Sequence, residues 1–491
     1  MPCAFQYKVL PILLGLLLFP AVAFCQMSLY DREISLALDA YQRQRYTAAE
    51  QHYTRALQEL TRLGVVDQRR GVALNGLALT SIAQKKLVDG KEYLMQALAV
   101  FQKTLGPGHP DVAACLITIG DLHYTVAEYD IALAFYQQAY EIIDALVARE
   151  ILPETLLIVP LCNIAGSHFA LNRFDEAQPL LNRVIQLIDT SGLQDDADLT
   201  WALTKLAAIH INRKQNSEAD TLLTRALPLA ETLYGPNSPT VMPIVADLAS
   251  LRFAKNSYNE AEALYKRLLA QQQQKFEPDA AQIAATQHTL GLVIQAKKQY
   301  PEAIQYLGQA LAAREHVDPD SLETAATLQV LGEIYNAQKD YSAAWQVLQR
   351  TLRIREVHVG RTHEETGVTL GALAWTAYYM GDYEEAVTYA KRAAPIIQSD
   401  AAKRDSAAAA QRQLVLGISY FAQEKYPEAE PPLKNALAIG EKALGPEHPE
   451  LLPMLKHYAD VLLKLDRPLE AVELIQRIRE IETKHNIQYA P

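Results

Sequence analysis

The stretch YPEAIQYLGQAL, Tyr300 to Leu311, recurs in altered form along almost the whole chain. Its first small residue belongs to a column of Ala or Gly that recurs every 41 to 45 positions: Ala49, Gly90, Ala132, Ala177, Ala219, Ala261, Ala303, Ala344, Ala386, Ala429 and Ala471. Twelve positions earlier lies a second such column: Ala37, Ala78, Gly120, Ala165, Ala207, Ala249, Gly291, Gly332, Ala374, Gly417 and Ala459. Two columns with one period predict eleven copies of a single structural unit.

The spacings within each copy indicate a pair of helices joined by a short turn. Residues seven apart lie on one face of a helix, and small residues let two helix backbones approach closely. Gly381-Asp382 is a typical turn sequence, and Pro301 stands where a helix tolerates proline, in its first turn. A mostly aromatic column stands three positions before the small residues of the second helix, the column Ala49 to Ala471, and is called the turn column below. It is interpreted as packing at the turn. The sequence therefore predicts an all-α fold.

This pattern resembles the tetratricopeptide repeat, a helix–turn–helix unit. The family's usual unit has 34 residues, and the longer form here is similar to the kinesin-light-chain type. The linkers that carry this likeness are LGPGHPDVA (Leu105 to Ala113) and LGPEHPELL (Leu444 to Leu452). The resemblance implies a right-handed α-solenoid, a superhelix of about eleven units, over residues 29–485, with a short tail at 486–491.

Three repeats and one connection depart from the pattern. Repeats 2, 5 and 11 lack the usual turn sequence, with Gly90, Asn216 and Pro468 at or near the turn. The segment 142–158 is three residues longer than its counterparts, which predicts a local distortion there.

Residues 1–25 have the features of a secretory signal peptide. Lys8 precedes an apolar run from Val9 to Phe24, which is shorter than the ~20 residues that a spanning helix needs. Cleavage is expected after Ala23 or after Cys25. A lipid anchor on Cys25 is disfavoured because Phe24 stands where that signal has a small residue. We therefore expect an exported protein, periplasmic or secreted if the source is bacterial, with no membrane span after cleavage.

Composition narrows the class of protein further. Of the 491 residues, 49% are hydrophobic and 21% are charged, which suits a folded core rather than disorder. The net charge of −11, without a run of Lys or Arg, argues against a nucleic-acid partner. Cys115 and Cys162 lie among apolar neighbours and are predicted to be buried free thiols.

Catalytic and metal-binding motifs are missing from the sequence. The HEETG stretch at His363 has no second histidine at the spacing of a zinc hydrolase. His123, His168 and His210 share one position in successive repeats, yet helices packed roughly 10 Å apart cannot share a metal with bonds near 2 Å. Packing is the favoured role for these histidines. We predict a chain that is not an enzyme and binds neither metal nor cofactor.

The resemblance places the binding surface on the concave face, which the first helices line. The expected surface positions lie three residues before and one, four and five residues after the small residue of each first helix. One further position lies six residues before it. Polar residues at these positions include Asn75 and Gln329. Aromatic rings and amides suit a bound extended peptide. The candidate binding residues are Tyr124, Phe169, Trp201, Phe253, Asn336, Trp375, Tyr378 and Phe421.

Two functions fit these observations. The first is a non-catalytic scaffold that binds a protein or peptide ligand on the concave face. The alternative is a self-associating structural protein of the cell envelope, which terminal repeats without a polar cap would favour. For the candidate aromatic residues, a purely structural role against the next repeat remains open.

Overall fold

The computed structural model of this chain describes residues 28–192, 196–274, 278–397 and 407–486. Within these residues lie twenty-two α-helices, two short 3-10 helices and no β-strand. The expected signal peptide, residues 1–25, and the end of the tail, residues 487–491, lie outside the described residues. The prediction of an all-α fold built from eleven helix pairs is confirmed.

The first helix of every pair carries an odd number. These helices are α1 (Leu29–Gln42), α3 (Gln68–Ala83), α5 (Pro110–Thr125), α7 (Ile158–Ala170), α9 (Asp196–Asn212), α11 (Met242–Ala254), α13 (Ala280–Ala296), α15 (Leu322–Ala337), α17 (Glu364–Met380), α19 (Ala407–Ala422) and α21 (Leu452–Lys464). The second helices are α2 (Tyr46–Arg62), α4 (Leu87–Leu105), α6 (Tyr129–Val147), α8 (Phe174–Ser191), α10 (Asn216–Tyr234), α12 (Tyr258–Gln273), α14 (Tyr300–Val317), α16 (Tyr341–His358), α18 (Tyr383–Ile397), α20 (Tyr426–Leu444) and α22 (Pro468–His485).

The chain divides into two compact units. The first ends at Leu251 and the second begins at Arg252, so the division falls within α11. The first unit contains the complete pairs α1 to α10, and the second contains α12 to α22. Consecutive helix pairs pack on one another within each unit.

One turn geometry joins the two helices of every repeat. Each even-numbered helix begins at the turn column, and the residue two positions earlier has a positive φ angle: Gln44, Lys85, Ala127, Asn172, Lys214, Asn256, Lys298, Lys339, Gly381, Glu424 and Asp466. The next residue donates its N–H to the carbonyl five positions back, as Asp340 does to Tyr335 at 2.9 Å. Repeats 2, 5 and 11 adopt this turn although their sequences depart from the pattern, because the packed helices impose the left-handed residue.

The small columns lie where the two helices of a pair approach. Gly332 on α15 is buried, and a Cβ atom added there would lie 2.6 Å from Cγ of Leu348 on α16. Gly291 and Leu307 form the same contact one repeat earlier, also at 2.6 Å. Side chains larger than the native one would overlap the partner helix.

Connections between repeats show why the linker sequences recur. Gly445 ends α20 with φ 91°, a conformation that favours glycine. His448 then accepts the backbone N–H of Glu450 at its Nδ1, 3.3 Å away, and so begins the next helical segment. In the longer connection before α7, the 3-10 helix Glu154–Leu157 takes up the additional residues.

Ion pairs join successive even-numbered helices. In each case an acidic residue and a basic residue 35 or 36 positions apart meet across two repeats: Asp189–Arg225, Lys266–Glu302, Glu315–Arg350, Glu356–Arg392 and Glu441–Arg477. The charges on this side of each unit are thus compensated by the neighbouring repeat.

The two cysteines of the described residues are buried thiols that form no disulfide, as predicted. Cys115 lies on α5 and Cys162 on α7. Burial raises the pKa of the Cys115 thiol to about 12, so this thiol stays protonated and unreactive at neutral pH.

Candidate functional site

The odd-helix face is defined here as the surface formed by positions one, four and five after the small residue of each odd-numbered helix. The position three before this residue was also expected on the surface, and that expectation is wrong for Asn75 and Gln329. Their side chains are buried, with exposed fractions of 3% and 5%. This position turns towards the neighbouring odd helix, and Gln329 Oε1 accepts a hydrogen bond from Thr369 on α17 at 3.0 Å.

Five of the candidate rings stand four positions after the small residue and are half-buried. Each packs edge-on or tilted against the ring that begins the second helix of its own repeat. The ring centroids are 5.0 to 5.9 Å apart in Tyr124–Tyr129, Phe169–Phe174, Phe253–Tyr258, Tyr378–Tyr383 and Phe421–Tyr426. These contacts support packing at the turn as the role of the turn column, and they give the five candidates a structural role inside their own repeat. Their part in ligand binding stays a prediction.

An aromatic cluster, formed by Tyr341, Trp375, Tyr378 and Tyr379, extends this face in the second unit. The Tyr379 ring lies between two stacked neighbours, with centroids 5.1 Å from Tyr341 and 5.7 Å from Trp375. Tyr378 meets Trp375 and Tyr379 edge-on. Tyr379 is 54% exposed, and Met380 beside it is 50% exposed. This cluster is a large apolar surface that the chain leaves open to solvent.

Asn336, another candidate, is bonded to the next repeat. Its side-chain amide donates to Thr376 Oγ1 at 2.9 Å and accepts from the same hydroxyl at 3.0 Å. Thr376 is fully buried, and Asn336 is only half-buried. The amide therefore joins α15 to α17 and keeps one N–H and one oxygen lone pair for a ligand.

A buried polar network lies beneath the same face. Arg355 on α16 donates to Gln329 at 3.2 Å, to Thr369 at 2.8 Å and to the Glu365 carbonyl at 2.9 Å. Gln329 in turn donates to Glu333 at 2.9 Å. Burial lowers the pKa of the Arg355 guanidinium. One cation is thus held by three helices of successive repeats.

The preceding repeat contains a similar arrangement. Arg314 on α14 donates to the Glu323 carbonyl at 2.7 Å and to Thr327, which also lies 3.4 Å from His288 Nδ1. Burial, together with Arg314, lowers the pKa of His288 to about 4. His288 is therefore neutral at physiological pH and acts as a packing and hydrogen-bonding residue.

In the first unit, two charged residues at the odd-helix face were missed by the sequence reasoning, which searched for rings and amides. Asp121, directly after Gly120, accepts a hydrogen bond from the Tyr136 hydroxyl at 2.7 Å and lies 3.5 Å from the Asn163 amide. Lys205 places its ammonium 4.5 Å from the centroid of the Phe169 ring. Their positions one after and two before the small-residue column are the only sequence signal that could have found them.

Trp201 stands on α9, four residues before Lys205, and is half-buried against the core of the first unit. Its indole Nε1 is buried and has no hydrogen-bond partner among the described residues. The ring thus lies at the edge of the odd-helix face, and most of its surface contacts the protein.

Two of the three histidines at equivalent positions bond within their own repeats, whereas the Nδ1 atom of His168 is buried with no hydrogen-bond partner among the described residues. His123 Nδ1 pairs with Glu128, and His210 Nδ1 lies 2.8 Å from the amide oxygen of Gln215. Burial lowers the pKa of His168. Within the described ranges, no group of three or more His, Cys, Asp or Glu side chains could hold a metal ion. Packing and turn contacts therefore account for their positions.

Comparison with known families identifies the repeat. The family model described as tetratricopeptide repeat matches residues 69–145, 198–274, 241–316, 282–356, 323–399 and 406–484, which together make up well over half of the chain. This chain belongs to the tetratricopeptide repeat family. The family model does not match residues 146–197, a segment that includes the longer connection before α7.

Solved structures share the fold at low sequence identity. The apo form of RapI aligns with a TM-score of 0.52 and 13% identity, over 76% of this chain and 98% of RapI. The apo form of the quorum sensor NprR from B. thuringiensis aligns at 0.50 and 16%, over 74% of this chain and 98% of NprR. Kinesin-light-chain TPR-like repeats from Podosopora anserina align at 0.36 and 23%, over 43% and 99%. The alignments with RapI and NprR show a common fold alone.

None of the curated proteins compared with this chain matches it in sequence. Among the described helices, none has the length and apolar character needed to cross a membrane.

Proposed function

We propose that this chain is a non-catalytic scaffold that binds a protein or peptide ligand along the odd-helix face. Tetratricopeptide repeat proteins generally mediate protein–protein interactions. The observation that carries the proposal for this chain is the aromatic cluster on α16 and α17, in which Tyr379 is exposed. Tyr and Trp dominate the energetics of protein interfaces because their rings supply large, rigid contact areas with polar ends.

The aromatic cluster is already organised in the free chain. Tyr341 and Trp375 both stack against the Tyr379 ring, so a ligand need not order this side chain on binding. The rest of the face contributes half-buried rings whose orientation is fixed by their turn contacts. A preformed apolar surface of this kind suits a ligand segment with apolar or aromatic side chains.

The proposal is tested by affinity capture from the envelope fraction of the source organism. The wild-type chain and the variant Tyr379→Ala are used in parallel, with Tyr234→Ala as the matched control, since Tyr234 is 44% exposed on an even-numbered helix. We expect one specific partner that Tyr379→Ala binds at least ten times more weakly and that Tyr234→Ala binds normally. Equal capture by all three proteins would contradict binding at the aromatic cluster.

Export forms the second part of the proposal and depends on residues 1–25. Secretion of the full-length chain in a bacterial host, followed by mass spectrometry of the product, measures the new N-terminus. A mature chain that begins after Ala23 or after Cys25 would support a signal peptide, whereas an intact chain retained in the cytoplasm would contradict it.

Self-association is a second candidate function, favoured by apolar residues on the last helix. Leu469 and Val472 on α22 are 84% and 58% exposed. Further along the same helix the surface is polar, and Gln476 donates to Glu480 at 3.0 Å. Light scattering over a hundredfold range of concentration tests this candidate. A mass that rises in the wild type and stays constant in Leu469→Gln would support it, and a constant monomer mass would contradict it.

A further inference from the structure

Asp121 is a carboxylate without a cationic partner in the described part of the chain. Its neighbours are the Tyr136 hydroxyl and the Asn163 amide, both directed at Oδ1. The side chain is half-buried on α5, where it faces the odd helix of the next repeat. Burial raises its pKa to about 7, and the hydrogen bond from Tyr136 opposes this rise. The folded chain therefore keeps a carboxylate in an environment that disfavours its charge.

Lys205 is the corresponding cation. It is half-buried on α9 and lies over the Phe169 ring, with no carboxylate partner among the residues that the structure describes. Burial lowers its pKa, and no nearby charge offsets the effect. A cation–π contact of this kind recovers less free energy than the desolvation of a buried ion requires.

Some charged residues elsewhere in the first unit do have partners. Arg225 pairs with Asp189, and Arg213 pairs with Asp175, each across two repeats. In both pairs the acidic partner comes from the preceding repeat. Asp121, at the odd-helix face, and Lys205, beside it, have no such oppositely charged partner among the described residues.

The two isolated charges lie on either side of α7. Asp121 meets this helix at Asn163, from the preceding repeat, and Lys205 meets it at Phe169, from the following repeat. Six residues along a helix correspond to about 9 Å, and a packed helix is about 10 Å wide at right angles to its axis. These two displacements combine as the sides of a right triangle. The charges are therefore roughly 13 Å apart, about the length of four residues of an extended chain.

We propose that Asp121, Asn163 and Lys205 form a charge-selective subsite for an extended polypeptide segment that carries a basic and an acidic side chain about four residues apart. The basic side chain of the ligand pairs with Asp121, and its acidic side chain pairs with Lys205. This inference rests on the proposed function and adds the charge pattern of the ligand to it.

If the subsite binds a ligand, neutralising Asp121 or Lys205 should raise the stability of the free protein and weaken ligand binding. Neutralising either residue removes a charge that the free protein must keep desolvated. Asp121→Asn and Lys205→Gln should therefore leave the fold intact and raise the melting temperature at pH 8. If the two residues had a purely structural role, both substitutions would lower it.

Binding is measured by fluorescence anisotropy with capped, labelled peptides in a Gly/Ser/Ala background. The probes carry Arg and Glu separated by two, four or eight residues, in both orders, and control probes carry two Arg, two Glu or two Gln. We expect the wild type to bind one of the four-residue probes at least ten times more tightly than the Gln probe. Asp121→Asn should lose only the affinity that the Arg of the probe contributes. Lys205→Gln should lose only the affinity that its Glu contributes.

Two surface variants serve as matched controls. Asp175→Asn and Lys103→Gln make the same chemical changes at exposed positions on even-numbered helices, and they should bind the probes as the wild type does. No preference for the four-residue probes, or equal losses for every probe, would overturn the subsite.

A partner captured through the aromatic cluster and bound equally by Asp121→Asn and Lys205→Gln would also overturn the subsite, while the proposed function would stand. Failure of the proposed function is a separate result, in which the wild type captures no specific partner.

Discussion

The two units differ in whether the charged residues at or beneath the odd-helix face have partners. In the first unit, Asp121 and Lys205 have no oppositely charged partner among the described residues. In the second unit, Arg355 is more deeply buried, yet three acceptors and the nearby Glu365 carboxylate surround it. A buried charge stabilises a fold only when its partners are present. The comparison separates a charge that holds repeats together from charges that are free to meet a ligand.

The largest effect on stability is expected from Arg355→Met. Removal of the guanidinium leaves buried Gln329 and Thr369 without one of their hydrogen-bonding partners, so the free energy of unfolding should fall by about 3 kcal/mol. Urea denaturation measures this change, with Lys205→Met in the first unit as the matched variant. If Arg355→Met proved as stable as the wild type, the network would not hold the repeats.

Overpacking tests the contact between the two helices of a repeat. Gly332→Leu should lower the free energy of unfolding by about 1–3 kcal/mol, because Leu348 already fills the space beside Gly332. Gly308→Ala is the control, since a Cβ atom there meets nothing within 4 Å. Alanine favours a helix more than glycine does, so this control should be more stable by up to about 1 kcal/mol. Equal melting temperatures for the two variants would mean that the helices do not approach as described.

Asp121 should make the stability of the first unit depend on pH. Its folded pKa of about 7 lies above the ordinary value, so between pH 4 and 7 the folded chain binds a proton that the unfolded chain has lost. This contribution to stability is complete below pH 4 and is lost as the pH rises through 7. Asp121→Asn should therefore match the wild type at pH 4 and exceed it by about 1–2 kcal/mol at pH 8. Melting curves at both pH values measure the difference, and a constant difference would contradict the assignment.

Tyr379→Ala should have the smallest effect on stability, about 0.5 kcal/mol, because more than half of this side chain is exposed and its stacked contacts with Tyr341 and Trp375 lie at the surface. Tyr378→Ala, in contrast, removes the contact with Tyr383 at the turn and should destabilise the second unit by about 1 kcal/mol. Thermal melts of the two variants distinguish a largely exposed ring from one that fixes a turn. The reverse order of stability would exchange these roles.

Much of the fold could be read from the sequence because the packing is repeated. Ala and Gly in two columns give the approach of the helices, as at Gly332, and the turn column marks the first residue of every even-numbered helix. The candidate site was harder to predict from the sequence. Phe169 and Tyr378 are aromatic at the expected position, but no local pattern shows that each ring leans on its own turn. The burial of Gln329 depends on Thr369, a residue of the next repeat.

The sequence by itself determined the number of repeats, the helical pairs and the surface on which a ligand is expected. These properties follow from contacts that recur with one period and involve residues close together in the chain. Only the tertiary structure decided which charged side chains have partners. Asn336 meets Thr376 across 40 residues, and Asp121 approaches Asn163 across 42, whereas Lys205 has an aromatic ring as its neighbour. The free energy of a buried charge is set by groups from adjacent repeats, and their distances depend on how the repeats stack.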